Sequence, residues 1–203
     1  MTSHRSLVRG LPLPIDERSR TAFHEAGHFV VAHALRCRAL QIRAIALVET
    51  SRYMGRLEAD CQGIFGIDDA RSVCAVLLAG FYAESRFAGS PMIEAAATDL
   101  AQAEALIRDL VPPDDWYALA QETTFRASRT LDVHWAAVDE LARLLLVRHR
   151  VEAEQAGAIV DRLAPKPPPL PAMWPPPGGP GANAPAGART TIVRAGSHLA
   201  YAG

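Results

Sequence analysis

Lysine is nearly missing from this sequence: Lys166 stands alone against twenty arginines, and the 203 residues carry a formal net charge of -1. No basic run interrupts that balance, which excludes the electrostatic footprint of a nucleic-acid-binding chain. Cysteine is scarce as well. Cys37, Cys61 and Cys74 are odd in number and lack CxxC spacing, which argues against a disulfide framework and for reduced, mostly buried thiols in a cytoplasmic protein. Long hydrophobic runs are also missing. The longest, over 73–83, falls well short of the roughly 18 residues that cross a bilayer. Residues 1–14 contain two arginines and a histidine but no apolar stretch of signal-peptide length. No GxxxxGK[ST] motif occurs, so the sequence has no phosphate-binding loop of that kind. The expectation is a soluble, cytoplasmic protein with no membrane segment and no nucleic-acid partner.

What is present suffices for a substantial core, since 49% of the residues are hydrophobic. Residues 1–15 read as a flexible N-terminus and 16–163 as one folded domain. The segment 164–203 reads as a Pro/Gly/Ala-rich disordered tail, because ten of the fifteen prolines fall between Pro165 and Pro185. Within the domain, a first helix is expected over 16–36, followed by strands at 40–48 and 53–59. A second helix opens at Asp68-Asp69 and stops near Gly89-Ser90-Pro91, and a third starts around Ala96 and ends at Pro112-Pro113. Two apolar stripes follow, one through Trp116, Leu119, Ala120 and Thr123, the other through Val138, Leu141, Leu145 and Leu146. They predict a helical hairpin, with a last helix over Val151–Leu163. Trp116 and Trp135 are core candidates.

One stretch names a chemistry. His24-Glu25-Ala26-Gly27-His28 is an HExxH pattern inside a segment with acidic residues at its start, Asp16 and Glu17, and apolar residues on every side thereafter. On a helix, positions i and i+4 lie about 40° apart, one turn above the other, so His24 and His28 share a face and can grip one ion. Glu25 lies about 60° round from His28, off the ligand face but placed to take a proton from water beside the metal. A catalytic zinc takes three protein ligands and leaves one position open. The HExxHxxGxxH arrangement is excluded by Val31 and Ala34. Glu84, Glu94 and Asp99 remain as candidates for the third ligand, and spacing does not choose among them.

Three blocks, in order, resemble a known family. Thr21-Ala22-Phe23-His24-Glu25-Ala26-Gly27-His28 is similar to the start of the peptidase domain of FtsH-type zinc metalloproteases. Leu77-Leu78-Ala79-Gly80-Phe81-Tyr82-Ala83-Glu84, with Phe87 following, resembles that family's LLGGRAAE block. Ala97-Thr98-Asp99-Leu100-Ala101-Gln102-Ala103 resembles the segment that supplies its third ligand. The resemblance spans roughly 17–163 and implies a mainly α (α+β) fold: a helical, zincin-like peptidase domain with a small two- or three-stranded sheet. It implies one Zn2+ held by His24, His28 and Asp99, with Glu25 as general base and Glu84 as a partner to a ligand histidine. It also implies a substrate strand laid along Met54-Gly55-Arg56-Leu57 by strand addition. Gly27 matches too, and lacking a side chain it suits close helix packing. Thr98 stands where the family has Asn, and Phe81-Tyr82 where it has smaller or basic residues.

The function expected from these residues is a zinc-dependent metalloendopeptidase that hydrolyses peptide bonds in unfolded or flexible polypeptides. The family's membrane anchor and ATPase module are not found in this sequence, so hydrolysis is expected to be ATP-independent on this chain. A separate ATPase is a candidate partner, and a homo-oligomer a candidate assembly. The alternative is a catalytically weak, peptidase-like zinc-binding module that binds protein partners.

Overall fold

The computed structural model describes residues 13–49, 53–64 and 66–164, apart from the side chains of 53, 94 and 95. The expected flexible N-terminus and the Pro-rich tail lie outside these residues, except for 13–15 and 164. The architecture is mainly helical with one small antiparallel sheet, as expected for a helical zincin-like fold.

Everything is arranged around the first helix, α1 (Glu17–Ala34). Its start is fixed by Asp16, whose carboxylate accepts from the Ser19 N–H at 2.7 Å; such a cap stabilises a helix by about 1 kcal/mol. From Ala22 to Ala32 every residue is buried. That continuous burial follows from the absence of a polar face, because a helix apolar all round is driven inside. The helix stops where Arg36 adopts a left-handed backbone (φ 50). There the Cys37 N–H reaches the Ala32 carbonyl at 2.9 Å, and the Arg36 N–H reaches that of His33 at 3.0 Å.

The chain then forms β1 (Leu40–Glu49) and β2 (Tyr53–Cys61), paired antiparallel from Leu40↔Cys61 to Glu49↔Tyr53 with a bulge at Arg43. A third strand, β3 (Arg150–Glu152), pairs with the other side of β1 through Ala46↔Arg150, Ile45↔Val151 and Ala44↔Glu152. The order is therefore β2-β1-β3. β1 is central, and its Ala44–Leu47 stretch is buried, which is why it reads as an apolar run rather than a strict alternation. β2 keeps one edge without a strand partner among the described residues.

Four further helices enclose α1 and the sheet: α2 (Ile67–Ala88), α3 (Ile93–Leu110), α4 (Trp116–Arg148) and α5 (Ala153–Leu163). α2 ends at Gly89, whose φ of 75 favours a residue without Cβ. Phe23, Phe29, Ile45, Leu57, Leu131, Leu141 and Leu145 fill the shared core, each at most 2% exposed. Phe23 stacks on Phe87 with centroids 4.0 Å apart and on Trp135 at 5.8 Å. Trp116 packs on a smaller cluster of Cys74, Ile107 and Leu119, its indole N–H donating to the Val111 carbonyl at 2.9 Å.

Three expectations are corrected. The two stripes after Asp114 lie on one helical run, α4, which continues through a kink at His134 and has no loop to turn it back as a hairpin. No glycine or proline lies between Trp116 and Arg148, and the only departure from helical angles is a bend at His134 (φ -106, ψ 18). α3 starts at Ile93 rather than near Ala96, and Val151 lies in β3 rather than in the last helix. Among the described residues no helix is long and apolar enough to cross a membrane. The cysteines are all free: Cys37 and Cys74 are buried, and Cys61 is exposed.

Candidate metal centre

The sequence spacing puts His24 and His28 one turn apart on α1, and their rings meet edge-on with centroids 4.6 Å apart. The donor atoms of His24, Glu25 and His28 lie within 4.8 Å of one another. α3 brings Asp99 to the same point. Its Oδ2 is 3.1 Å from His24 Nε2 and 3.2 Å from His28 Nε2. Ligands about 2.0–2.1 Å from one tetrahedral zinc sit roughly 3.3 Å from each other, so the spacing of these atoms matches donors around a single ion. All of these groups are buried: His24 is 5% exposed, Glu25 and His28 1%, and Asp99 0%.

The far side of His28 is held by backbone. Nδ1 is 2.7 Å from the Val76 carbonyl; a carbonyl oxygen only accepts, so Nδ1 donates there and Nε2 is the atom that faces Asp99. A nitrogen and a carboxylate oxygen 3.2 Å apart can be bridged by a proton or flank a metal cation. One turn on from Val76, Gly80 leaves the room. A Cβ at Gly80 would lie 2.5 Å from His24 Nε2 and closer still to His28 Nε2. The donor chemistry, the spacing and the cradle at Gly80 together fit one divalent metal.

Protons alone would hold the cluster differently. Burial disfavours a charged His24, but hydrogen bonds to Asp99 and Glu84 and the charges of Glu25 and Asp99 outweigh that and raise the imidazole to about 10. Burial likewise disfavours an ionised Asp99, yet His28 and His24 hold it well below the usual carboxylate range. The pocket therefore favours positive charge at His24 and negative charge at Asp99, the polarity a cation site needs.

Glu25 faces strand β2. Its Oε1 lies against Gly55, where any Cβ would collide with it, and its Oε2 is buried without a hydrogen-bond partner among the described residues. Burial pushes its carboxyl up, against the opposing pull of His28 and His24. Glu84, on α2, has Oε2 3.7 Å from His24 Nδ1. Its Oε1 accepts from the Met92 N–H at 2.9 Å and from Arg20 at 3.1 Å. Burial alone would raise Glu84, but His24, the Met92 N–H and Arg20 together keep it below its ordinary value.

Of the strand positions singled out from sequence, Gly55 touches a site group. Leu57 is buried on the same side of β2, while Met54 and Arg56 lie half-buried on the opposite one. The Glu94 side chain is outside the described residues. Sequence reasoning missed two contributors. Gly80 was visible only as a member of a block, and Arg20 carried no signal beyond its place one turn before His24. Gly27 does allow close packing: a Cβ there would lie 2.5 Å from Ala83 Cβ and 2.8 Å from the Ala79 carbonyl.

No family model matches the chain, and no curated protein matches it. The site speaks through its own geometry. His24-Glu25-x-x-His28 forms a zincin-type cluster compatible with one zinc ion.

Proposed function

We propose that the protein is a zinc-dependent metalloendopeptidase, similar to the peptidase domain of FtsH-type proteases, acting on unfolded or flexible polypeptides. The observation that carries this reading is the meeting of His24, His28 and Asp99 at 3.1–3.2 Å beside the buried carboxylate of Glu25. A structural zinc site has no need of such a base. The family resemblance gains support from the same geometry. Its three blocks lie on α1, α2 and α3, and His24, Gly80 and Asp99 from those blocks converge at one point.

His24, His28 and Asp99 would hold the ion. Bound there, zinc supplies Lewis acidity that polarises a scissile carbonyl and makes water a better nucleophile. Glu25 accepts the proton of the attacking water and delivers it to the leaving nitrogen, and burial, by raising its carboxyl, makes it a stronger base than an exposed glutamate. The Val76 carbonyl and Glu84 orient the two imidazoles. β2 positions substrate. Its free edge offers backbone pairing to an extended peptide along Met54–Leu57, and Gly55 brings that strand onto the Glu25 carboxylate. Backbone pairing selects for an extended chain more than for sequence, which suits flexible substrates. A separate ATPase that unfolds substrates, a homo-oligomeric assembly and a cytoplasmic setting belong to the same proposal.

The test is metal analysis of purified protein together with cleavage of casein and a peptide pool, with Glu25→Gln alongside. About one zinc per chain and turnover that disappears in Glu25→Gln is the expected result. Burial of Glu25 and of both imidazoles favours a second reading, a catalytically weak zinc-binding module. Zinc retention with no turnover above the Glu25→Gln level would select it.

A further inference from the structure

Arg20 stands one turn before His24 on α1, with its side chain 18% exposed. A single nitrogen, Nη1, donates to Glu84 Oε1 at 3.1 Å and to the Ser90 carbonyl at 2.8 Å. These contacts join parts of the chain that secondary structure leaves separate. Ser90 lies in the short link between α2 and α3, after the left-handed Gly89 and before Pro91. Met92, the N-cap of α3, provides no side-chain cap of its own, and its N–H is taken by Glu84. The other oxygen of Glu84 faces His24.

Asp99 is seven residues further along α3, about 10 Å at 1.5 Å per residue. A helix transmits displacement of its start along its axis, so movement at Met92 carries Asp99 with it. We propose that Arg20 is a positioning residue for the metal centre: it clamps Glu84 and the α2–α3 link to α1, setting His24 and Asp99 at the separation one ion requires. The inference rests on the metal-binding reading above. Without the guanidinium, the Glu84 carboxylate, itself 2% exposed, loses a charged partner inside the protein. The Ser90 carbonyl loses its tie at the same time. Both losses loosen the start of α3, and Glu84 is then free to leave His24 Nδ1.

The experiment measures Zn2+ affinity by chelator competition on the full chain, for wild type, Arg20→Met, Arg20→Lys, Glu84→Gln and the double variant Arg20→Met/Glu84→Gln. Removing an outer partner of a metal ligand costs about 10- to 100-fold in affinity, and Arg20→Met is expected at about 10-fold. Because one nitrogen makes both contacts, the lysine ammonium can replace it, and Arg20→Lys should stay within about 3-fold. In the Glu84→Gln background, Arg20→Met should cost clearly less than the about 10-fold it costs alone, since the Glu84 route is shared by both variants while the Ser90 tie is not. Visible spectra of the Co2+ form should change in Arg20→Met and not in Arg20→Lys.

Unchanged Zn2+ affinity in Arg20→Met, with thermal stability lowered only in the chelator-treated protein, would overturn the proposal and leave a plain ion pair. Additive losses in the double variant would overturn it too. If Arg20→Met does not fold, full affinity in Glu84→Gln, or a 10-fold loss in Arg20→Lys, does the same. A wild-type chain that takes up no Zn2+ overturns the metal reading itself, a result distinguishable from all of these.

Discussion

The α1–α2–α3 region and the α4–α5 region are built on opposite rules. Around the site, polar side chains are buried and three glycines stand where any Cβ would collide: Gly80 with the imidazoles, Gly55 with Glu25, and Gly27 with α2. Along α4 and α5 the buried positions are alanine, leucine, valine, isoleucine, one hydroxyl, Thr123, bonded to its own helix, and one glycine, Gly157, where a Cβ would press on the His33 ring at the end of α1. The charges there stay outside, as in Arg162–Glu140 and Arg86–Asp132. Apolar side chains meet through broad, forgiving surfaces. Buried ligands need close backbone approach and fixed partners, so the first region tolerates less change for the same number of atoms.

The largest expected break in that comparison is chemical. Glu25→Gln should keep zinc, read by metal analysis, while turnover on a peptide pool falls about 10²- to 10⁴-fold. Gly80→Ala comes next. One methyl group driven against both imidazoles should weaken Zn2+ binding by about 100-fold in chelator competition, comparable with losing an outer partner of the ligands. A matched change in the other region, Leu141→Ala, should leave zinc affinity intact and cost about 2–5 kcal/mol in denaturant unfolding, through the cavity it leaves. Gly27→Ala, which overpacks α1 on α2, should cost about 1–3 kcal/mol by the same measurement. A Leu141→Ala chain that lost its metal would erase the distinction between the regions.

The smallest effect concerns the surface. Glu58 is held below the ordinary value of a glutamate chiefly by its hydrogen bond to Arg150, 2.5 Å away. A carboxyl with a depressed folded pKa adds stability above its unfolded pKa and loses it as pH falls through the folded value. Unfolding midpoints of wild type should therefore drop more steeply than those of Arg150→Ala below pH of about 4, with a difference under about 1 kcal/mol at neutrality. A larger difference would mean that this exposed pair behaves like the buried groups of the site.

Local signals made much of the fold legible. The caps and breakers of α1 and α2, Asp16 and Gly89, lie in the sequence at the helix ends, and β1 and β2 carry strand-length patterns. β3 was not legible, because three residues are too few to establish a period and its partner lies about a hundred positions away. The early start of α3 was hidden for a related reason: its first N–H is satisfied by Glu84, a side chain from the preceding helix. α4 was misread although the sequence held the clue, since two stripes without a glycine or proline between them are more simply one helical run: at about 100° per residue, Leu119, Thr123, Val138, Leu141 and Leu145 all fall on one face. In the site, HExxH placed His24, Glu25 and His28 on one helix. Choosing among distant carboxylates needed either a resemblance or coordinates, as helical periodicity describes a single element and never the meeting of two.

Enclosure of α1 has a consequence for how the molecule matures. The imidazoles ride on the innermost helix, while the carboxylate opposite them arrives on another helix and the backbone acceptor on a third. If the site takes a metal as proposed, full chelation needs α1, α2 and α3 packed together, and uptake of the ion during refolding would mark the end of assembly. A half-folded copy holds every one of the donors and still has no grip.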